Sequence, residues 1–129
     1  MPQMVNRSPP VTPSVDDILS RCQLFGQLHP SRRQHLAAIA RLCQFDKGQL
    51  VFRQGDPCPG VYIVGSGMVR VFKIAPSGKE HVLHIVGPGQ SFAEVAVIAG
   101  FDCVAHAEAI APSTCVLLPA DLFRRRMAE

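Results

Sequence analysis

The sequence predicts a mainly β domain with flanking helices, a jelly roll or barrel, on three observations. From Gln49 to Leu118 the apolar residues fall in short runs bounded by glycine or proline, the punctuation of a β sandwich or barrel. Before Gln49 the apolar period is helical. After Leu118 a proline opens one more helical stretch, and no fixed-period repeat runs through the chain.

Each element has a local cause. Met1 to Pro13 carries Pro2, Pro9, Pro10 and Pro13 among polar residues and reads as a disordered lead-in. Ser14 is an N-cap with Asp17 placed to complete a capping box, and Val15, Ile18, Leu19 and Cys22 form the apolar stripe of a short helix. A second helix is expected from Ser31 to Leu42, burying Leu36, Ile39, Ala40 and Cys43, with Gly48 as the stop. Beyond Gly48 the pattern reads as β throughout: Leu50–Phe52, Val61–Val64, Met68–Ile74, His81–Val86, Val104–Ile110 and Cys115–Leu118. Turns are expected at Asp56–Gly60, Ser66–Gly67, Pro76–Gly78 and Gly87–Gly89, where Pro presets φ and Gly accepts the left-handed conformation. Pro119 is expected as the first residue of a last helix, which has only begun at Glu129 and leaves Leu122, Phe123 and Met127 partly unburied. The domain is therefore drawn as residues 14–118, followed by the start of a longer helix at 119–129.

Composition narrows the class. Apolar residues make up 47% and charged residues 18% of 129, which suits one domain with its own core. The net charge of +3 is too small to argue for nucleic acid by itself. No apolar run approaches the roughly 20 residues that span a bilayer, and Met1–Pro13 lacks the basic start and apolar centre of a secretory signal. A cytoplasmic protein with no membrane partner is expected. Cys22, Cys43, Cys58, Cys103 and Cys115 contain no Cys-x-x-Cys pair and read as small buried hydrophobes in a reducing compartment.

The residues that could carry chemistry are few. His81 and His84 lie three apart on one strand, so alternation should point them to opposite faces and prevent joint chelation unless the strand is bulged. His106 sits between Ala105 and Ala107, where a structural histidine is the ordinary reading. Arg124, Arg125 and Arg126 read as a solvated helix face. No Ser-His-Asp or Cys-His set and no paired carboxylates stand at readable spacing, so no catalytic residue and no metal site are assigned.

Asp46–Asp56, then Gly60-Val61-Tyr62-Ile63-Val64 with Ser66–Val71, resembles the cyclic nucleotide-binding fold of bacterial Crp/Fnr transcription regulators. Gly78-Lys79-Glu80, Leu83–Gln90 and Phe92-Ala93-Glu94-Val95-Ala96 continue the resemblance, which covers roughly Ser14 to Glu129. It implies a β-roll sensor of a small-molecule effector. In family members a long dimerisation helix and a DNA-binding helix-turn-helix follow, and no helix-turn-helix can be placed in this chain. Phe92, Ala93 and Glu94 fall at the phosphate-binding cassette, with Cys103, Val104 and Ala105 completing the expected effector pocket. Nucleotide-binding members have Gly before the Glu, and an Arg further on for the cyclic phosphate. Here Ala93 replaces the Gly, the Arg position falls on Cys103 or Val104, and no Lys or Arg occurs between Lys79 and Arg124.

A buried charge left without its partner costs about 3–5 kcal/mol, so tight cyclic nucleotide binding through the usual contacts is not expected. The resemblance extends to the branch that answers nitrogen oxides through haem. That makes haem an alternative cofactor and His106, His81 and His84 its candidate ligands, with His29 behind them. The iron–sulfur branch clusters its cysteines near the N-terminus, where only Cys22 lies. DNA is expected as a partner only through the absent segment, and the full-length protein as a homodimer. Two rival functions remain: a stand-alone cyclic nucleotide-binding module, and a cupin-type metal-dependent barrel enzyme.

Overall fold

Two four-stranded antiparallel sheets face each other in the computed structural model, which describes residues 14–128. The elements run α1 (Val15–Arg21), α2 (Pro30–Ile39), β1 (Arg41–Phe45), β2 (Leu50–Phe52), β3 (Gly60–Ser66), β4 (Val69–Ile74), β5 (Glu80–Val86), β6 (Ser91–Phe92), α3 (Glu94–Ala99), β7 (His106–Ala109), β8 (Ser113–Pro119) and α4 (Ala120–Met127). One sheet has the order β1-β8-β3-β6 and the other β2-β7-β4-β5, the mainly β roll the sequence predicts. The expectation for Met1–Pro13 lies outside the described residues.

The run Val61-Tyr62-Ile63-Val64 is continuously apolar because β3 is buried on both faces. Tyr62 and Val64 point between the sheets, where they meet Phe52, Val69, Phe92 and Ala107. Val61 and Ile63 point the other way, with Val116 and Leu118 of β8, into a second core formed with Ile18, Leu19, Leu36 and Phe123 from the helices. All four helices of the described residues thus cover the outer face of one sheet, α3 through Val97, while the outer face of the other carries Arg70 between Glu108 and Glu80 at 2.8 Å each.

Local chemistry sets the ends of these elements. Ser14 Oγ accepts from the Asp17 amide at 3.1 Å, capping α1. Gly67, at φ +92, turns the chain into β4 where any Cβ would collide with Ser113 Oγ, the atom that accepts from the Met68 amide.

Four expectations need correction. The second helix stops at Ile39: Ala40 is extended, and Arg41–Phe45 pairs with β8, Cys43 opposite Cys115. Ile39, Ala40 and Cys43 are accordingly half-buried, and only Leu36 is fully buried in α2. The chain beyond Gly48 is not β throughout, because α3 interrupts it directly after β6. Pro119 is the N-cap of α4 and still pairs with Gly60, so it closes β8 rather than opening the helix. Phe123 is fully buried, its ring edge-on to Phe25 at 5.9 Å, whereas Leu122 and Met127 are exposed.

Candidate functional site

The cassette segment forms a sharp corner. Phe92 ends β6 with its ring stacked 5.1 Å from Tyr62, which anchors the corner in the inter-sheet core. Ala93 follows at φ 71, the one non-glycine residue in the left-handed region among the described residues. Glu94 then begins α3, and the Ser91 hydroxyl donates to its Oε1 at 2.6 Å. Glu94 is therefore held by a hydroxyl across the corner, and it stands at the start of α3.

Beside this corner lies a cavity of about 640 Å³. Phe92, Ala93, Glu94, Cys103, Val104 and Ala105 all line it, so the structure brings the six expected pocket residues around one cavity. The rest of the lining includes Gln23, Leu24, Phe52, Val71, Leu83, His84 and Gln90, which sequence reasoning does not single out for the pocket. Gln23 and Leu24 come from the α1–α2 connection, Phe52, Val71, Leu83 and His84 from three strands of one sheet, and Gln90 from the turn before β6, a convergence that spacing along one segment cannot reveal. Among the described residues no Lys or Arg lines the cavity, and Glu94 is its one carboxylate.

The far wall is held by backbone bonds. The Cys103 amide donates to the Asp56 carbonyl and the Gly55 amide to the Cys103 carbonyl, both at 2.8 Å. Burial pushes the Cys103 thiol up to about 12, with the neighbouring Cys58 adding to the effect. Cys103 is thus a neutral thiol at physiological pH.

The histidines separate. Strand β5 carries an irregularity: Val71 pairs with His84 but Phe72 with Val82, so Leu83 is an extra residue. With His84 opposite Val71 and His81 opposite Lys73, the two histidines share one face, contrary to the expectation from simple alternation. Of them His84 lines the cavity. His106 does not: it pairs with Phe72, its ring lies 5.2 Å from that ring, and its Nδ1 accepts from the Gln54 amide at 3.2 Å. His29 caps α2, accepting from the Ser31 amide. Among the described residues no group of three or more His, Cys, Asp or Glu is placed to hold a metal.

α3 connects the pocket to the last helix. Arg124 of α4 donates from Nη1 to the Val97 carbonyl at 2.9 Å and also pairs with Asp121. It is therefore not part of a free basic face. Among the described residues no helix is long and apolar enough to cross a membrane.

Comparison with known proteins agrees with this geometry. Residues 42–129 match the cyclic nucleotide-binding domain family. The CRP-like cAMP-activated global transcriptional regulator of Mycobacterium tuberculosis is 30% identical over 115 residues, covering 89% of this chain and 51% of that protein. The chain thus spans about half the length of that curated relative. A cAMP-dependent protein kinase regulatory subunit of Blastocladiella emersonii is 30% identical over 107 residues, 83% of this chain and 27% of that protein. Among solved structures, the sensor domain of the transcriptional regulator DNR from Pseudomonas aeruginosa superposes with a TM-score of 0.78 at 32% identity, covering 87% of this chain and 75% of that one. The β-roll, the corner at Phe92–Glu94 and these relatives together establish that the chain belongs to the cyclic nucleotide-binding domain family, as a sensor domain like those of Crp/Fnr regulators.

Proposed function

We propose that this chain is the effector-sensing part of a cytoplasmic, DNA-binding transcription regulator that works as a homodimer, and that it catalyses no reaction. The observation that carries the proposal is the continuous path from the cavity through Glu94 and α3 to Arg124 of α4. An effector that binds one position of the Phe92–Glu94 corner better than another moves α3, and the Arg124–Val97 bond passes that choice to α4. The position of α4 in turn sets the orientation of the DNA-binding segments.

The effector is a small molecule other than a tightly bound cyclic nucleotide, because no cation among the described residues faces the cavity to neutralise a cyclic phosphate. Haem is the alternative cofactor; it would supply a metal centre for a gaseous ligand, and of the candidates His106, His81 and His84 it would be held by His84, which lines the cavity. The cupin-type enzyme reading requires histidines and a glutamate around one metal, a grouping that the described residues lack. A stand-alone nucleotide-binding module requires a cation at the cavity, which the described residues lack.

The test uses the whole gene product. At physiological salt it should retard one promoter sequence selectively, whereas this chain alone should bind DNA no better than an unrelated protein of net charge +3. Selective binding by this chain alone, or none by the gene product, overturns the reading.

A further inference from the structure

Resting on the sensor reading above, we infer that the cavity takes a mainly apolar molecule without negative charge, which donates one hydrogen bond to Glu94. Five aliphatic side chains lining the cavity stand in water: Leu24 is 49% exposed, Leu83 47%, Ile85 49%, Val95 74% and Val104 56%. They come from four separate segments and face one space, an arrangement whose apolar surface a ligand would cover. The volume of about 640 Å³ falls within the range of small-molecule sites, roughly 300–1,000 Å³.

Charge sets the sign of the ligand. Among the described residues Glu94 is the one carboxylate in the lining, and no Lys or Arg accompanies it. An anion entering here would meet a like charge and lose its hydration without compensation. The Ser91 hydroxyl takes one position on Oε1 and leaves the second carboxylate oxygen to accept from a ligand N–H or O–H. Cys103, held neutral by burial, and Ala105 add apolar wall rather than charge.

Two probes with one ring skeleton separate the possibilities. N-phenyl-1-naphthylamine is uncharged and carries one N–H; 1-anilinonaphthalene-8-sulfonate is the same framework with an anionic sulfonate. Fluorescence titration of the chain should find the uncharged probe bound at least about tenfold more tightly. Val104→Asp and, independently, Leu83→Asp should each weaken it by about tenfold, and both positions are exposed enough to keep the fold. Glu94→Gln should leave the uncharged probe nearly unchanged and tighten the sulfonate about tenfold.

Equal or tighter binding of the sulfonate by the unsubstituted chain overturns the inference, as does indifference of both probes to all three substitutions. Calorimetry with cyclic AMP and cyclic GMP distinguishes the two levels of failure. Tight nucleotide binding that Glu94→Gln weakens would leave the sensor reading standing and refute this ligand class. If neither probe nor nucleotide responds to any of the three substitutions, the cavity is not a ligand site and the sensor reading falls with it.

Discussion

Arg124 donates to the Val97 carbonyl across 2.9 Å, joining the helix that begins at Glu94 to the helix that follows the last strand. Phe123 beside it is buried against Phe25, so α4 is seated by an apolar anchor and steered by a polar one. The anchor resists detachment, and the hydrogen bond reports the position of α3.

Arg124→Met separates these roles. It keeps the length and the apolar stem of the side chain and removes the donor. Stability should fall by no more than about 1 kcal/mol, because the guanidinium is partly exposed. Hydrogen exchange of the α4 amides should accelerate, with the β3 and β8 amides unchanged. Unaltered exchange in α4 would mean that Phe123 alone fixes the helix and that α3 has no hold on it.

Ala93 bears a local strain that a second pair of substitutions measures. A left-handed Ala costs about 1–2 kcal/mol, while glycine at the same place costs about 0.4–1 kcal/mol through its freer unfolded chain. Ala93→Gly should therefore raise stability by about 0.5 kcal/mol, and Ala93→Val should lower it by about 2 kcal/mol because a β-branched residue tolerates this φ less well. Urea denaturation reads both. A loss of about 1 kcal/mol or more in Ala93→Gly would show that the packing of the Ala93 methyl against the inter-sheet core outweighs the backbone term.

Two buried thiols give the protein an alkaline limit. Burial pushes Cys115 up to about 12, and burial with Cys58 nearby does the same for Cys103, from the ordinary 9.0. Between those values the unfolded chain releases protons that the folded chain retains, so stability falls as pH rises from about 9 toward 12. Below 9 the contribution is fully present. Denaturation midpoints should decline across that window, and Cys115→Ala should flatten the decline while lowering the plateau. Alkylation by iodoacetamide at pH 8 should reach these two residues only on unfolding. Rapid labelling of Cys115 in the folded protein would contradict its burial.

What was legible in the sequence follows from which interactions are local. The strands between Leu50 and Leu118 announce themselves because Gly and Pro must stand where the chain turns, and Ser14 announces α1 because its hydroxyl must meet the Asp17 amide. β1 was hidden because Leu36, Ile39, Ala40 and Cys43 continue a helical period. The force that ends the helix is the ladder to β8, a partner far along the chain that pairs Phe45 with Ser113 and Arg41 with Leu117. α3 was hidden because Glu-Val-Ala-Val-Ile-Ala favours a strand by propensity and has no side-chain cap. The shared face of His81 and His84 depends on the extra residue Leu83, which exists only relative to β4. Phe92–Glu94 and Cys103–Ala105 line the cavity from the two short segments to which the family resemblance points, whereas Leu24, Leu83 and His84 reach it only through the fold.

Val104 offers the most direct test of what the cavity lacks. It lines the cavity, is 56% exposed, and follows Cys103 on the wall that shares the space with Glu94. An arginine there can extend without displacing core atoms, and its guanidinium would supply the cation that the described residues of the cavity lining lack. A charge-assisted hydrogen bond contributes about 1.5–3 kcal/mol, which corresponds to roughly 10- to 100-fold in affinity. The unsubstituted chain should show no micromolar binding of cyclic AMP or cyclic GMP by calorimetry, and Val104→Arg should bring cyclic AMP at least about tenfold closer to that range. Val104→Leu serves as the control for side-chain size and should leave both nucleotides unbound. Adding Glu94→Ala to Val104→Arg should weaken cyclic AMP again, because the ligand then loses its acceptor at the corner. If the unsubstituted chain binds cyclic AMP tightly and Glu94→Ala abolishes it, the cavity accommodates a phosphate without a cation, and the cassette works as a nucleotide site despite Ala93 and Val104.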